Sequence, residues 1–393
     1  MINLTSKKDC CGCEACCSIC PKYAISMYRD QEGFLYPKIN ASLCVKCGLC
    51  DKVCPIIHKV SETEKSQRAF LVQHKNQEIL QQSTSGGAFT AIAEYVIGHG
   101  GVVFGAAFDE NFSVIHMYAE TKEELAKFRN SKYVQSKIGE TFKQAKQFLQ
   151  SGRMVCFSGT PCQIEGLHRF LRKDYDNLIT VDVVCRAVPS PGIWKKYLDW
   201  ENQKKKIVSV RFRDKKLGYQ YSTMVLAAKD GSIQRDGIES QPWLRMFFSG
   251  MIIRPSCTKC CFRSPEMRMS DFTIWDCFNI YRLDKNFLED AGTTRMLVHT
   301  KKGIAVLKQI KDLLQIREIP FDVAIENVIE MQSSPNRHEK SNAFFKDAKE
   351  IEMNELLQKY YPITWKVKLK KTARITLNRL KLDKVIKHIL NKG

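Results

Sequence analysis

The spacing of apolar positions changes several times along the chain, and each change predicts a different element. Ala24 to Tyr28 and Phe34 to Ile39 are short strand-like runs flanking the turn Asp30-Gln31-Glu32-Gly33, which predicts a hairpin. The polar stretch Ser61 to Gln67 predicts a linker. Beyond it, segments of helical period alternate with strand-like runs. Helices are predicted over 87–97, 122–128, 140–149, 163–171 and 191–202, and strands over 102–108, 114–118, 154–157 and 178–183. Ile207 to Ile233 reads as antiparallel strands, with Arg213-Asp214-Lys215 and Asp230-Gly231 as turns. The predicted class is mixed α/β (α+β): a small module at 1–60, a larger mixed-sheet domain at 67–345 and a basic helical tail at 346–393.

Composition narrows this picture. With 44% hydrophobic and 26% charged residues among 393, the chain has the make-up of a soluble globular protein. No apolar run reaches the roughly 18 residues of a membrane span, and Met1 to Asp9 has no apolar leader segment, so a cytoplasmic location is expected. Net charge is +20, and its distribution matters more than its size. Trp365 to Gly393 holds ten Lys or Arg residues against the single acid Asp383. There Ile375, Leu382, Ile386 and Ile389 recur at helical spacing, with Lys381, Lys384 and Lys387 between them. Such a helix can dock its apolar stripe on the parent domain or lie on an anionic membrane surface, and docking is the commoner use. Nucleic acid is not an expected partner, because no aromatic stacking platform is interleaved with the basic residues.

The cysteines carry the chemistry. C-x2-C-x2-C-x3-C-P occurs twice, as Cys10, Cys13, Cys16, Cys20 with Pro21, and as Cys44, Cys47, Cys50, Cys54 with Pro55. This is the spacing of bacterial two-cluster ferredoxins, in which the fourth cysteine of each run ligates the other run's 4Fe-4S cluster. The expected sets are therefore Cys10, Cys13, Cys16 with Cys54, and Cys44, Cys47, Cys50 with Cys20. Zinc modules use paired C-x2-C units, and disulfide frameworks show no such repeat. Cys11 and Cys17 fall out of phase and read as bystanders. Seventeen cysteines, eight of them in cluster motifs, fit a reducing compartment.

Two further features are weaker alone. Ser83-Thr84-Ser85-Gly86-Gly87 precedes an amphipathic helix and offers hydroxyls and close backbone approach to a phosphate, although a plain cap is the commoner use. Cys162 sits in a strand-to-helix turn, Cys185 follows a strand, and Cys257 and Cys260 form a C-x2-C. Cys162 and Cys185 read equally as buried structural cysteines, and the C-x2-C suits zinc as well as iron.

Taken in order, STSGGAF at 83–89, NSKYVQS at 130–136, FSGTPCQIEGL at 157–167, VDVVCRAVPSP at 182–191, FRDKKLGY at 212–219, RPSCTKC at 254–260 and SDFTIWD at 270–276 resemble the beta-subunit family of coenzyme F420-reducing hydrogenases and dehydrogenases. The resemblance implies FAD and a further 4Fe-4S cluster, held by Cys162, Cys185, Cys257 and Cys260. It implies flavin contacts at Ser83, Ser85, Gly86, Gly87, Lys132, Tyr133, Gly159 and Thr160. The chain departs from the family at two places. Cys185-Arg186-Ala187 stands for the usual Cys-His-Gly, and Trp275-Asp276-Cys277-Phe278-Asn279 for Gly-Asp-x-Trp-Gly. These departures put the acceptor in question and leave the cluster cysteines in place. Cys156, Cys261 and Cys277 receive no role, and His168 reads as a packed or surface histidine rather than a base.

The expected function is an iron-sulfur flavoprotein oxidoreductase that passes electrons between ferredoxin-type clusters and an FAD facing an organic acceptor such as a deazaflavin. An electron-donor or acceptor protein is the expected partner. The alternatives are the same redox chain acting on a cell-surface polysaccharide precursor, and an electron carrier or sensor without flavin.

Overall fold

The computed structural model describes residues 6–58, 67–278, 280–288 and 290–379. Leu382, Ile386 and Ile389 of the tail pattern, most of the Ser61–Gln67 linker and Asn279 lie outside these residues. The class is mixed α/β, as the sequence predicts. The strands are β1 (Ile25–Arg29), β2 (Leu35–Ile39), β3 (Arg68–His74), β4 (Val102–Phe108), β5 (Val114–Ala119), β6 (Val155–Gly159), β7 (Leu178–Val183), β8 (Ile207–Asp214), β9 (Thr223–Ala228), β10 (Ile233–Asp236), β11 (Phe272–Asp276), β12 (Thr294–Val298) and β13 (Leu314–Ile319). Strands β1 and β2 form the predicted hairpin, with Ile25 opposite Ile39. The Asp30 side chain accepts the backbone N–H of Glu32 and Phe34, and Gly33 takes a φ of 83° to close the turn.

Eight strands make one sheet in the order β13-β3-β12-β11-β7-β6-β4-β5, and β8 to β10 make a separate antiparallel sheet. In the large sheet β4, β6, β7 and β11 run parallel to one another. Alternation sorts its two faces. Val103 and Cys156 face the helices Ala88–Gly98 and Lys301–Ile310, whose Ile92, Val96, Val306 and Leu307 fill one core. Val102, Phe104, Val155 and Phe157 face the helices Thr141–Gln150 and Pro161–Leu171, whose Phe142, Ile164 and Phe170 fill the other. The second of those helices begins where the sequence asks: Pro161 occupies its first turn, and Thr160 and Gln163 form a reciprocal capping box. The segment 122–128 is a 3-10 helix over Glu123–Phe128 rather than an α-helix.

The N-terminal module packs onto the larger domain rather than hanging from it. Phe34 and Tyr36 enter an aromatic core with Trp194, Tyr197, Phe212, Trp243, Phe344 and Phe345. Gly33 and Gly192 meet backbone to backbone, so a Cβ on Gly33 would stand 2.5 Å from the Gly192 Cα. The buried Glu14 carboxylate accepts the backbone N–H of Ile138 and Gly139 at 2.9 and 3.1 Å. Near the other end, the helix Trp365–Arg379 contacts the β8–β10 sheet region through polar groups. Lys371 and Arg374 pair with Asp236 and Glu239, while Trp365 and Leu369 stay exposed. Among the described residues no helix is long and apolar enough to cross a membrane.

Candidate functional site

The eight cysteines of the N-terminal module fall into two groups by burial and surroundings. Cys10, Cys13, Cys16 and Cys54 are all buried. Burial pushes the Cys16 thiol well up, and Cys10, Cys17 and Cys54 push it further. The Cys54 thiol is raised by burial and then by Cys10. These four form an inner set. Cys20, Cys44, Cys47 and Cys50 line one cavity and form an outer set, in which only Cys47 is exposed. Gly12 and Gly48, with φ of 72° and 73°, allow the tight curl that short cysteine spacing demands. Cys17 donates to the Ile25 carbonyl at 3.0 Å and is occupied by the hairpin. Cys11 is better placed than its phase suggests, because its thiol meets those of both Cys13 and Cys162.

The four scattered cysteines converge at the carboxyl ends of the parallel strands, where α/β sheets bind ligands. Cys162 follows β6 and Cys185 follows β7. The backbone bridge between Pro189 and Ile253 lays the segment after β7 beside the one leading into Cys257 and Cys260. Burial raises the Cys185 thiol well above its ordinary range, and Cys257, Cys162 and Cys260 add to it. Burial pushes Cys257 up to about 12, with Cys162 and Cys260 contributing. Thr160 Oγ1 lies 3.2 Å from Cys162 Sγ. Two arginines that sequence reasoning passed over organise this third set. Arg263 donates to the carbonyls of Cys185, Arg186 and Glu330 at 3.1, 2.6 and 2.8 Å. Arg254, fully buried, donates to the Cys10 carbonyl at 2.8 Å, to Gln135 Oε1 at 2.9 Å and to the Leu35 carbonyl at 2.9 Å. It thereby ties the inner and third sets together. Cys277 packs among Leu71, Ile280 and Phe287, and Cys156 lies in the sheet core.

All of these cysteines are free thiols. Buried thiols that raise one another's pKa are poor bare thiolates, and they become favourable once a cationic iron core neutralises them. Among the described residues no three His, Cys, Asp or Glu side chains converge on a point that one metal ion could fill. A cubane core is wider, and its ligands stand farther apart than the ~3.8 Å between thiolates on tetrahedral zinc. The three four-cysteine sets fit the group that the sequence implies.

The loop Ser83 to Gly87 is anchored rather than open. Ser83 Oγ donates to the Ile79 carbonyl at 2.7 Å and Ser85 Oγ to the Thr293 carbonyl at 2.5 Å. Gly86 N–H donates to Thr294 Oγ1, and a Cβ on Gly86 would stand 2.1 Å from the Val72 carbonyl oxygen. Cations crowd around this loop instead. Lys132 Nζ donates to the carbonyls of Lys127 and Arg129, and burial followed by Arg211 lowers it to about 7. Lys215 Nζ donates to the carbonyls of Leu80, Ser85 and Ala291 and is also lowered to about 7, chiefly by burial. Arg129 and Arg211 reach Gln82, while Arg213 reaches Tyr133 Oη and Asp276. Arg129 Nε, Arg211 Nε and Arg213 Nη2 are buried without a hydrogen-bond partner. Among these five basic groups stand Asp214, Asp276 and Asp290. Phe278, at a family-departing position, stacks on Tyr219 with 5.1 Å between centroids. Arg186, at the other departure, pairs with Glu330 at 3.3 Å and donates to the Phe248 carbonyl.

Comparison with known proteins follows the same division. Residues 9–56 match a 4Fe-4S dicluster domain. Residues 69–143 and 152–323 match the N-terminal and C-terminal parts of the coenzyme F420 hydrogenase/dehydrogenase beta subunit. A coenzyme F420-dependent sulfite reductase from Methanocaldococcus jannaschii is 26% identical over 164 residues, which are 41% of this chain and 25% of that protein. The chain thus spans about a quarter of that curated relative's length. A chain of the xenon-derivatized F420-reducing NiFe hydrogenase complex from Methanosarcina barkeri superposes with a TM-score of 0.46 at 14% identity, covering 70% of this chain and 92% of that one.

Proposed function

Because the chain belongs to the coenzyme F420 hydrogenase/dehydrogenase beta-subunit family, with a 4Fe-4S dicluster domain ahead of the family region, we propose that it is an oxidoreductase whose twelve cysteines hold three 4Fe-4S clusters serving one flavin. The observation that carries this reading is the meeting of Cys162, Cys185 and the Cys257–Cys260 pair, which come from three separate segments of the chain. Clusters supply one-electron transfer, and a flavin joins such steps to the two-electron chemistry of an organic acceptor. The chain's own residues supply position and insulation. Arg263 fixes the Cys185 and Cys257 loops, and Arg254 fixes the third set against the inner one. Lys132, Arg129, Arg211 and Arg213 surround the Ser83 to Gly87 loop with donors that suit a dinucleotide's pyrophosphate. Their three donors without a hydrogen bond are the groups such an anion would satisfy. Tyr133 is bonded to Arg213 in this cluster, while Thr160 stands beside Cys162.

The anchored hydroxyls of Ser83 and Ser85 favour a second reading, in which the chain transfers electrons without flavin. Anaerobic purification with iron and flavin quantification separates the two. About twelve irons and one FAD per chain are expected, with Cys257→Ala falling to about eight irons. Arg213→Met should lose flavin while keeping all of its iron. A chain with full iron and no flavin establishes the second reading, and about eight irons in the unaltered chain removes the third cluster.

A further inference from the structure

We propose that the face of the N-terminal module around Cys20, Cys44, Cys47 and Cys50 is a docking surface for an acidic one-electron carrier protein. Of all seventeen cysteines, Cys47 alone is exposed, whereas the whole inner set is buried. The outer set is therefore the part of the cysteine array that another protein can approach closely. Its surroundings are built unlike an ordinary solvated face. Val45, 59% exposed, lines the cavity, and Tyr23 and Leu43, 74% and 49% exposed, adjoin lining residues in sequence, with Lys143 Nζ 4.8 Å from the Tyr23 ring centroid. Lys22, Lys46 and Lys52 are exposed around it, and Asp51 is the acid among them.

Backbone geometry strengthens this reading. Tyr23 and Lys46 have φ of 51° and 54°, in the left-handed region where glycine or asparagine is relaxed. Fold alone favours a small residue at both positions, yet each presents a long side chain to solvent. Non-glycine residues in this conformation cluster at functional surfaces. An apolar centre with a basic rim complements a carrier whose redox group lies under an acidic face, and such pairing governs encounter rate and orientation. In the exchange a reduced carrier loses one electron and this chain gains one, with no bond made or broken.

The proposal rests on the outer cysteines holding a cluster, and the test keeps the two apart. Iron-replete full-length protein is titrated anaerobically with an acidic 4Fe-4S ferredoxin at low and high salt, by calorimetry. Binding should be present at low salt and weaken as salt rises. The combined Lys22→Glu, Lys46→Glu and Lys52→Glu chain should bind about tenfold or more weakly, with unchanged iron content and unchanged reduction by dithionite. If that chain loses iron, Tyr23→Ala takes its place, with weaker binding again expected. Absence of binding at low salt, equal binding by both variants and the unaltered chain, or self-association that shields Tyr23 from labelling overturns the proposal. Iron below about eight in the unaltered chain sinks the cluster reading instead.

Discussion

Replacing Arg254 with Met should loosen the attachment of the hairpin β1–β2 to the rest of the chain. The guanidinium is fully buried and donates three hydrogen bonds, to the carbonyls of Cys10 and Leu35 and to Gln135 Oε1. It also lies 4.2 Å from the Tyr36 ring centroid. Methionine fills similar volume and removes the donor from three acceptors, two of them in buried bonds that each cost about 1–3 kcal/mol to lose. Relief of the arginine's own desolvation offsets part of this sum. A net loss of about 3 kcal/mol corresponds to roughly a hundredfold in a local opening equilibrium. Hydrogen–deuterium exchange of peptides covering residues 25–39 in iron-replete protein reads that quantity directly, with peptides from β9 and β10 as the internal control. Exchange should accelerate about a hundredfold at the hairpin and not at the control. Acceleration of less than about threefold would refute the argument that Arg254 holds the module. Gly12→Ala should produce the same pattern more weakly. Its φ is +72°, and its Cβ would stand 2.7 Å from Gln135 Nε2 and 2.8 Å from Arg254 Nη1.

Two other perturbations probe the sheet. Asp182 and Arg268 form an ion pair at 2.8 Å with both side chains 1% exposed, so Asp182→Ala strands a buried charge and should cost about 3–5 kcal/mol in urea unfolding. A loss under about 1 kcal/mol would show that the guanidinium finds compensation elsewhere. His116 is lowered by burial from 6.5 to about 4 and stays neutral in the fold. The unfolded chain takes up its proton first as pH falls, so the stability His116 confers is complete above about 6.5 and is lost between about 6.5 and 4. His116→Gln should remove up to about 3 kcal/mol of that acid sensitivity, and parallel urea titrations at neutral and acidic pH should therefore converge.

The readable part of this protein is the part whose chemistry is local in sequence. Cys10 to Cys54 announce two cluster sets because ligand spacing is set within a few residues. Cys162, Cys185, Cys257 and Cys260 carry no such spacing, and only the family resemblance grouped them. Arg254 and Arg263 escaped attention because arginine is ordinarily a surface residue, and nothing in their neighbourhoods announces burial. Strand β3 was passed over for a related reason. Its residues are buried on both faces except Arg68, so Ala69-Phe70-Leu71-Val72 shows an apolar run without the alternation that marks a half-buried strand. The Ser83 to Gly87 loop is a further case of distant partners, since its Ser85 hydroxyl and its glycines are anchored by residues of β3 and by Thr293 and Thr294, 208 positions away, which no local pattern announces.

The contact between Gly33 and Gly192 has a consequence for how such a chain can evolve and be engineered. Two backbones that touch leave no room for a side chain on either partner, so the turn of the hairpin and the start of the helix Pro191–Lys204 are specified jointly. The module is therefore not an interchangeable cassette. A foreign two-cluster domain grafted through the segment 59–66 would bring its own turn and its own side chain at that point. It would be held off by a steric wedge, however well its cysteines matched.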